Sequence, residues 1–201
     1  MDYSNTLVHQ LSFKTPAKRA VMSGDGLADF ASKMRNCVKY LFPIENPTKS
    51  LESSTVDPYN KISSFLYLGS IDSLEHADKF YLIVNCTRHI KVINRQRNFN
   101  CMDSIRIPVD DHPTECATML KYIESTKVLE KIHECRMASK PVLVHCHAGI
   151  QRSATIVACY LMKYYKITPE EAIRFIQSKR PIAFYNQANF MDVIQHVYSH
   201  K

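Results

Sequence analysis

The chain has 201 residues, of which 45% are hydrophobic and 22% charged, the balance of an ordinary folded domain and not of an intrinsically disordered chain. Its formal net charge of +7 suits anionic partners such as phosphoproteins, nucleic acid or a membrane surface, and equally suits plain solubility. Seven cysteines without a CxxC pair argue against a disulfide framework and against zinc. The lack of any run of about 18 apolar residues predicts no spanning helix, and the polar residues 1–10 carry no signal peptide, so a reducing intracellular compartment is expected, cytoplasm or nucleus.

The first element predicted is an amphipathic helix over residues 27–42, where Phe30, Ala31, Met34, Val38 and Leu41 recur at intervals of three and four. Pro43 and Pro47 stop it, and the polar stretch 46–58 reads as a linker. The chain is therefore expected to divide into an extension, 1–57, and a folded domain, 58–201. Short apolar runs then predict four strands: Phe65 to Leu68, Tyr81 to Val84, Ile105 to Val109, and Val142 to Val144.

Between them lie helical patterns. Thr114 is expected to cap one helix that carries Met119, Leu120, Ile123, Leu129 and Ile132 on its inner side. Residues 153–166 are apolar almost throughout until Lys163, as in a helix buried on most faces. Thr168-Pro169-Glu170-Glu171 has the form of a capping box with proline at the first helical position, opening a helix with Ala172, Phe175 and Ile176 inside. A last helix carries Phe190, Val193, Ile194 and Val197. Strands alternating with helices predict an α/β fold with a central, mostly parallel sheet of four or five strands flanked by helices.

Chemistry concentrates in Val142-Leu143-Val144-His145-Cys146-His147-Ala148-Gly149-Ile150-Gln151-Arg152-Ser153. A buried strand ends at a cysteine, a short loop with one glycine follows, and a helix begins at an arginine. Such a turn brings consecutive N–H groups at a helix N-terminus around the sulfur, a cradle for phosphate oxygens formed by residues 147 to 152. The same field favours thiolate over thiol and makes Cys146 a nucleophile. Arg152 offers two donors in a fixed plane to two phosphate oxygens, which a lysine cannot do. For Cys37, Cys86, Cys101, Cys116, Cys135 and Cys159 the expected role is inert packing. His145 and His147 flank Cys146, but neighbours on a strand point to opposite faces, so metal ligation by the three is sterically awkward.

The run from His145 to Ser153 resembles the signature of the cysteine-dependent phosphatases. Its form Cys-x-Ala-Gly-x-x-Arg-Ser is similar to the dual-specificity branch, as are Phe65-Leu66-Tyr67-Leu68-Gly69-Ser70 and Val84-Asn85-Cys86-Thr87. The resemblance implies a phosphatase domain that uses no metal or other cofactor. Ile107-Pro108-Val109-Asp110-Asp111-His112 resembles the family's acid loop, whose register selects Asp111 as general acid, with Asp110 second. By the same resemblance the Ser153 hydroxyl assists the thiolate as leaving group, and His145 orients the loop and tunes the thiolate. An asparagine braces the loop in that family, for which Asn186 or Gln187 stands here. Gln151 occupies a position where the branch usually has serine.

The expected function is hydrolysis of phosphotyrosine and of phosphoserine or phosphothreonine in phosphorylated proteins. Two other readings fit part of the chain: an RNA 5′-phosphatase or triphosphatase of the same superfamily, with which the basic charge is compatible, and a non-catalytic phosphoresidue-binding module. The intact Cys146, Arg152 and Asp111 argue against both. In the extension, Lys18-Arg19-Ala20-Val21-Met22 resembles a basic-plus-apolar kinase docking motif, and the helix at 27–42 suits homodimerisation or folding onto its own domain. Compact phosphatases of this kind occur in cells and in large DNA viruses.

Overall fold

The computed structural model describes residues 57–90 and 103–200. The expected helix at 27–42, most of the linker and the Lys18–Met22 motif lie outside the described residues, as do Cys37 and Cys101.

Five strands form one mixed sheet: β1 (Tyr59–Ser63), β2 (Leu66–Gly69), β3 (Leu82–Asn85), β4 (Asp103–Arg106) and β5 (Val142–His145), in the order β1-β2-β5-β3-β4. All neighbours run parallel except β1, which pairs antiparallel with β2. The expected mostly parallel α/β sheet is thus the observed one. β5 lies between β2 and β3, in a register that sets Gly69 and Asn85 both opposite His145. Three strands therefore end side by side at the level of the signature loop, the crevice where open parallel sheets hold ligands.

β1 was not anticipated. Tyr59-Asn60-Lys61-Ile62-Ser63 buries only Ile62 and carries a register shift between Lys61 and Ser63, so neither a continuous apolar run nor clean alternation announces it. Phe65, expected at the start of a strand, instead sits in the turn between β1 and β2 with φ 60. The third predicted strand lies earlier than expected, at Asp103–Arg106, and Ile107 extends it by one hydrogen bond to the Asn85 carbonyl, 2.9 Å.

The segment between β2 and β3 is a 3₁₀ helix, Ile71–Lys79, begun by Ser70, whose hydroxyl accepts from the Asp72 N–H at 3.2 Å. The single helix expected from Thr114 is three pieces: a 3₁₀ turn Pro113–Glu115 capped by His112, then α1 (Cys116–Thr126) and α2 (Val128–Met137). Lys127, at φ 50, separates the last two. Ser125 and Thr126 both donate their hydroxyls back to the Tyr122 carbonyl, the local competition that weakens a helix end. The apolar spacing continues across the break, which is why it reads as one helix.

α3 (Arg152–Tyr165), α4 (Pro169–Lys179) and α5 (Met191–Ser199) complete the described fold. The capping box is as expected: the Thr168 N–H donates to the Glu171 carboxylate at 2.8 Å and the Glu171 N–H donates to the Thr168 hydroxyl at 3.3 Å. From Ser153 to Met162 every α3 residue is buried. It lies between the sheet and the other helices, in the core shared by Leu82, Val84, Val142 and Val144. The alternate residues Ile83 and Leu143 face the other way, onto Ala77, Phe80, Tyr59 and Tyr67, the period-two pattern of a sheet covered on both faces. Among the described residues no helix is long and apolar enough to cross a membrane.

Candidate active site

Cys146 stands where β5 ends, and α3 begins six residues later at Arg152. Each carbonyl of the intervening loop is engaged on its outer side. The Cys146 carbonyl meets His145 Nδ1 at 3.3 Å, and that of His147 accepts from the Ile71 N–H at 2.9 Å. Those of Ala148 and Gly149 accept from Arg180 at 3.1 and 3.0 Å, and that of Ile150 from the Phe184 N–H at 2.9 Å. The Gln151 carbonyl receives the Thr155 N–H at 2.8 Å, inside the first turn of α3. Because each peptide is planar and trans, a carbonyl turned outward leaves the following N–H turned inward. The loop is an inward-facing ring of donors at a helix N-terminus, shaped for an oxyanion.

The sulfur lies at the base of this ring, 1% exposed. It accepts from the Gly149 N–H and from the Ser153 hydroxyl, each at 3.2 Å. Gly149 has φ 70, and a Cβ there would lie 2.6 Å from the Gly69 carbonyl oxygen and 2.8 Å from an Arg180 nitrogen. Both the backbone angle and the space demand glycine.

Arg152 reaches back over the loop. Its Nη1 donates to the carbonyls of Val109 at 3.2 Å and Cys86 at 3.5 Å, and its Nε lies 3.4 Å from Asp111 Oδ2. Asp110 turns away and pairs with Arg88 at 2.7 Å, while Arg88 also holds Glu115 at 2.6 Å. Of the two adjacent carboxylates, Asp111 is the one at the loop. His112 is exposed and caps the following 3₁₀ turn, its Nδ1 accepting from the Thr114 N–H at 3.3 Å.

The brace of the loop differs from the expectation. Asn186 is exposed, at φ 69, and among the described residues its side chain makes no hydrogen bond to the loop; Gln187 takes part only through its carbonyl. Arg180 is the brace. It is 1% exposed and ties Ala148 and Gly149 to β1 by donating also to the Asp57 carbonyl at 2.9 Å and to Asn60 Oδ1 at 2.7 Å. Gln151 adds a second tie: Nε2 donates to the Gln187 carbonyl at 2.7 Å, and Oε1 accepts from the Asn189 N–H at 3.0 Å. A serine is too short for both bonds. An arginine at a helix end before Pro181 has the sequence signature of a solvated charge, and its burial is what reveals the role.

His145 is wholly buried. Its Nδ1 faces a carbonyl, which can only accept, so Nδ1 carries the hydrogen. Burial holds its pKa down at about 4, against the partial opposition of that hydrogen bond. The other described cysteines pack as expected: Cys86, Cys116 and Cys159 are buried and Cys135 half-buried, and burial pushes their thiols up, that of Cys159 to about 12. Among the described residues no three His, Cys, Asp or Glu side chains converge to hold a metal ion.

Residues 66–199 match the family described as dual specificity phosphatase, catalytic domain. A putative tyrosine phosphatase of Invertebrate iridescent virus 6 is 35% identical over 128 residues, 63% of this chain and 82% of the viral protein. The tyrosine-protein phosphatase vhp-1 of Caenorhabditis elegans is 32% identical over 140 residues, which cover 65% of this chain and only 20% of the nematode protein. In fold, human DUSP28 superposes with a TM-score of 0.62 over 74% of this chain and 98% of its own, at 24% identity.

Proposed function

The chain belongs to the dual specificity phosphatase family, and from that premise we propose that it hydrolyses phosphotyrosine and phosphoserine or phosphothreonine in proteins through a cysteinyl-phosphate intermediate. The observation that carries this reading is the ring of inward N–H groups closed around Cys146, with Arg152 and Asp111 facing each other above it. The phosphate dianion sits in the ring, its oxygens taking the loop N–H groups and the fork of Arg152. The Cys146 thiolate attacks phosphorus in line. The bond to the ester oxygen breaks, and Asp111 gives that oxygen its proton.

In the second half, water attacks the phosphocysteine and passes a proton to the Asp111 carboxylate. The phosphorus–sulfur bond breaks and the electron pair returns to sulfur, where the Ser153 hydroxyl and the Gly149 N–H receive it. His145, neutral and buried behind the strand end, orients the loop and moves no proton.

Residues 58–201 serve as the catalytic domain and 1–57 as an extension, whose segments 18–22 and 27–42 are read as serving kinase docking, homodimerisation or packing onto its own domain. The nucleophile requires a reducing compartment, cytoplasm or nucleus. The test pairs turnover with trapping. C146S is expected to abolish release of phosphate from an aryl phosphate, and D111A, with Cys146 kept, to hold phosphoproteins. Activity retained in C146S overturns the mechanism. Faster turnover of triphosphate-ended RNA than of phosphopeptides overturns the substrate class, and phosphopeptide binding by the wild type without phosphate release overturns catalysis itself.

A further inference from the structure

The segment between α4 and α5 is strained where it passes the oxyanion loop. Phe184 and Asn186 hold φ at 56 and 69; asparagine tolerates that region, but a bulky phenylalanine there is an outlier. Such strain persists only where the surroundings enforce it, and it gathers at ligand sites. Here the loop enforces it: the Phe184 N–H donates to the Ile150 carbonyl at 2.9 Å, and Gln151 Nε2 donates to the Tyr185 carbonyl at 3.4 Å. Further on, the Asn189 side chain donates to Asp111 Oδ1 at 3.1 Å. The segment therefore runs from the outer side of Ile150 to the acid, along the rim of the mouth. Tyr185 stands on it between the two left-handed residues. Its N–H donates to the Ile182 carbonyl at 3.3 Å and its carbonyl accepts from Gln151, so the backbone polar groups turn inward and the side chain turns to solvent, 60% exposed. Other large hydrophobic side chains exposed among the described residues lie elsewhere: Phe65 in the β1–β2 turn at the far end of the sheet, Met137 at the end of α2, and Met191 on α5 with its sulfur toward Gln195.

We propose that Tyr185 is a specificity-determining residue of the mouth, an aromatic wall that favours phosphotyrosine over phosphoserine and phosphothreonine. The inference deepens the phosphatase reading and rests on it. With the phosphate seated in the loop above the Cys146 sulfur, a phosphotyrosine ring stands in the mouth at the height of the rim, because one ester oxygen alone separates it from phosphorus. Phosphoserine and phosphothreonine fill that level with one or two aliphatic carbons and then their own backbone. An aryl ring offers Tyr185 an edge or a face, the arrangements in which aromatic pairs attract, and covers apolar surface that is otherwise wet. The aliphatic esters offer neither. The backbone carrying Tyr185 is already fixed by its bonds to Ile182 and Gln151, so little freedom is lost when the substrate arrives. Tyr185 touches the substrate's ring and no reacting atom, so its contribution is to binding and not to the chemical step.

The experiment measures kcat and KM of the full chain on two peptides of one sequence, carrying either phosphotyrosine or phosphoserine, with inhibition by vanadate as the gauge of an intact loop. The wild type is expected to favour the phosphotyrosine peptide. Y185A is expected to raise KM for that peptide about tenfold, the scale of one aromatic pair, with kcat unchanged, as the loss of a uniform binding contact requires. The phosphoserine peptide and vanadate inhibition should stay within about twofold. Y185F keeps the ring without the hydroxyl and should match the wild type. Y185L keeps apolar bulk without the aromatic face; it should show part of the same selective loss, and it carries the test if Y185A disturbs the loop. The role of Tyr185 is overturned, and the phosphatase reading stands, if Y185A and Y185L slow both peptides equally or slow neither. The same holds if Y185F loses as much as Y185A, or if the wild type does not favour phosphotyrosine. If the wild type releases phosphate from neither peptide, the phosphatase reading itself falls, and Tyr185 with it.

Discussion

The Asp111 carboxylate and the Arg152 guanidinium face each other at 3.4 Å across the mouth of the loop, although one residue earlier Asp110 pairs with Arg88 on the other side at 2.7 Å. The two adjacent carboxylates thus take different arginines, and only that of Asp111 faces the loop.

The two carboxylates are therefore expected to separate cleanly in mutants. D111N should lower kcat on a phosphopeptide by roughly 10² to 10⁴, the worth of a positioned acid. D110N should stay within about threefold, because its partner Arg88 is partly exposed, keeps Glu115, and such pairs contribute at most about 1 kcal/mol. Steady-state kinetics of both variants decide it; equal losses would put the acid assignment in error.

Gly149 should tolerate no side chain. G149A meets the Gly69 carbonyl at 2.6 Å and keeps φ at 70, a backbone strain of about 1–3 kcal/mol before the clash is counted. Urea unfolding is expected to shift by at least that amount, and inhibition by vanadate to weaken as the ring opens. A variant as stable and as readily inhibited as the wild type contradicts the close approach of β2 to the loop.

Arg180 should behave as structure and not as a surface charge. R180M keeps the length and removes all four donations to Ala148, Gly149, Asp57 and Asn60, leaving buried carbonyls unpaired, at a cost on the order of 3 kcal/mol. R180K keeps the charge without the fork and should recover only part. Unfolding midpoints and oxyanion affinity measure both; an unaltered R180M shows that the loop needs no brace.

His145 sets a pH dependence of stability. Its folded pKa of about 4 lies below the ordinary 6.5 because of burial. Between those values the unfolded chain binds a proton that the folded chain refuses, so stability rises with pH there. The stability is fully present above about 6.5 and falls away as pH drops toward 4, by up to roughly 3 kcal/mol. Unfolding of the wild type at pH 4.5 and 7.5 should differ more than that of H145N. The same pH difference in both would mean that His145 does not titrate on unfolding.

How much of this was legible beforehand depended on range along the chain. The loop from Cys146 to Ser153, the capping box at Thr168 and the buried α3 are local patterns, and each appears in the structure where the residues predict it. The break at Lys127 was hidden because the apolar spacing continues across it while two hydroxyls, from Ser125 and Thr126, compete for the Tyr122 carbonyl. β1 was hidden because an edge strand with one buried residue has no signature of its own.

By itself the chain's order of residues determined the α/β class, the family and the loop from Cys146 to Ser153, since these rest on hydrogen bonds and periodicities that close within a few residues. Only the folded state set Asp111 beside Arg152 and Asp110 beside Arg88, buried Arg180 against the loop carbonyls, and brought Asn189 to Asp111 across 78 positions. Those contacts form because parallel strands end side by side and their connecting loops meet above them, and what meets there depends on packing that no short stretch encodes.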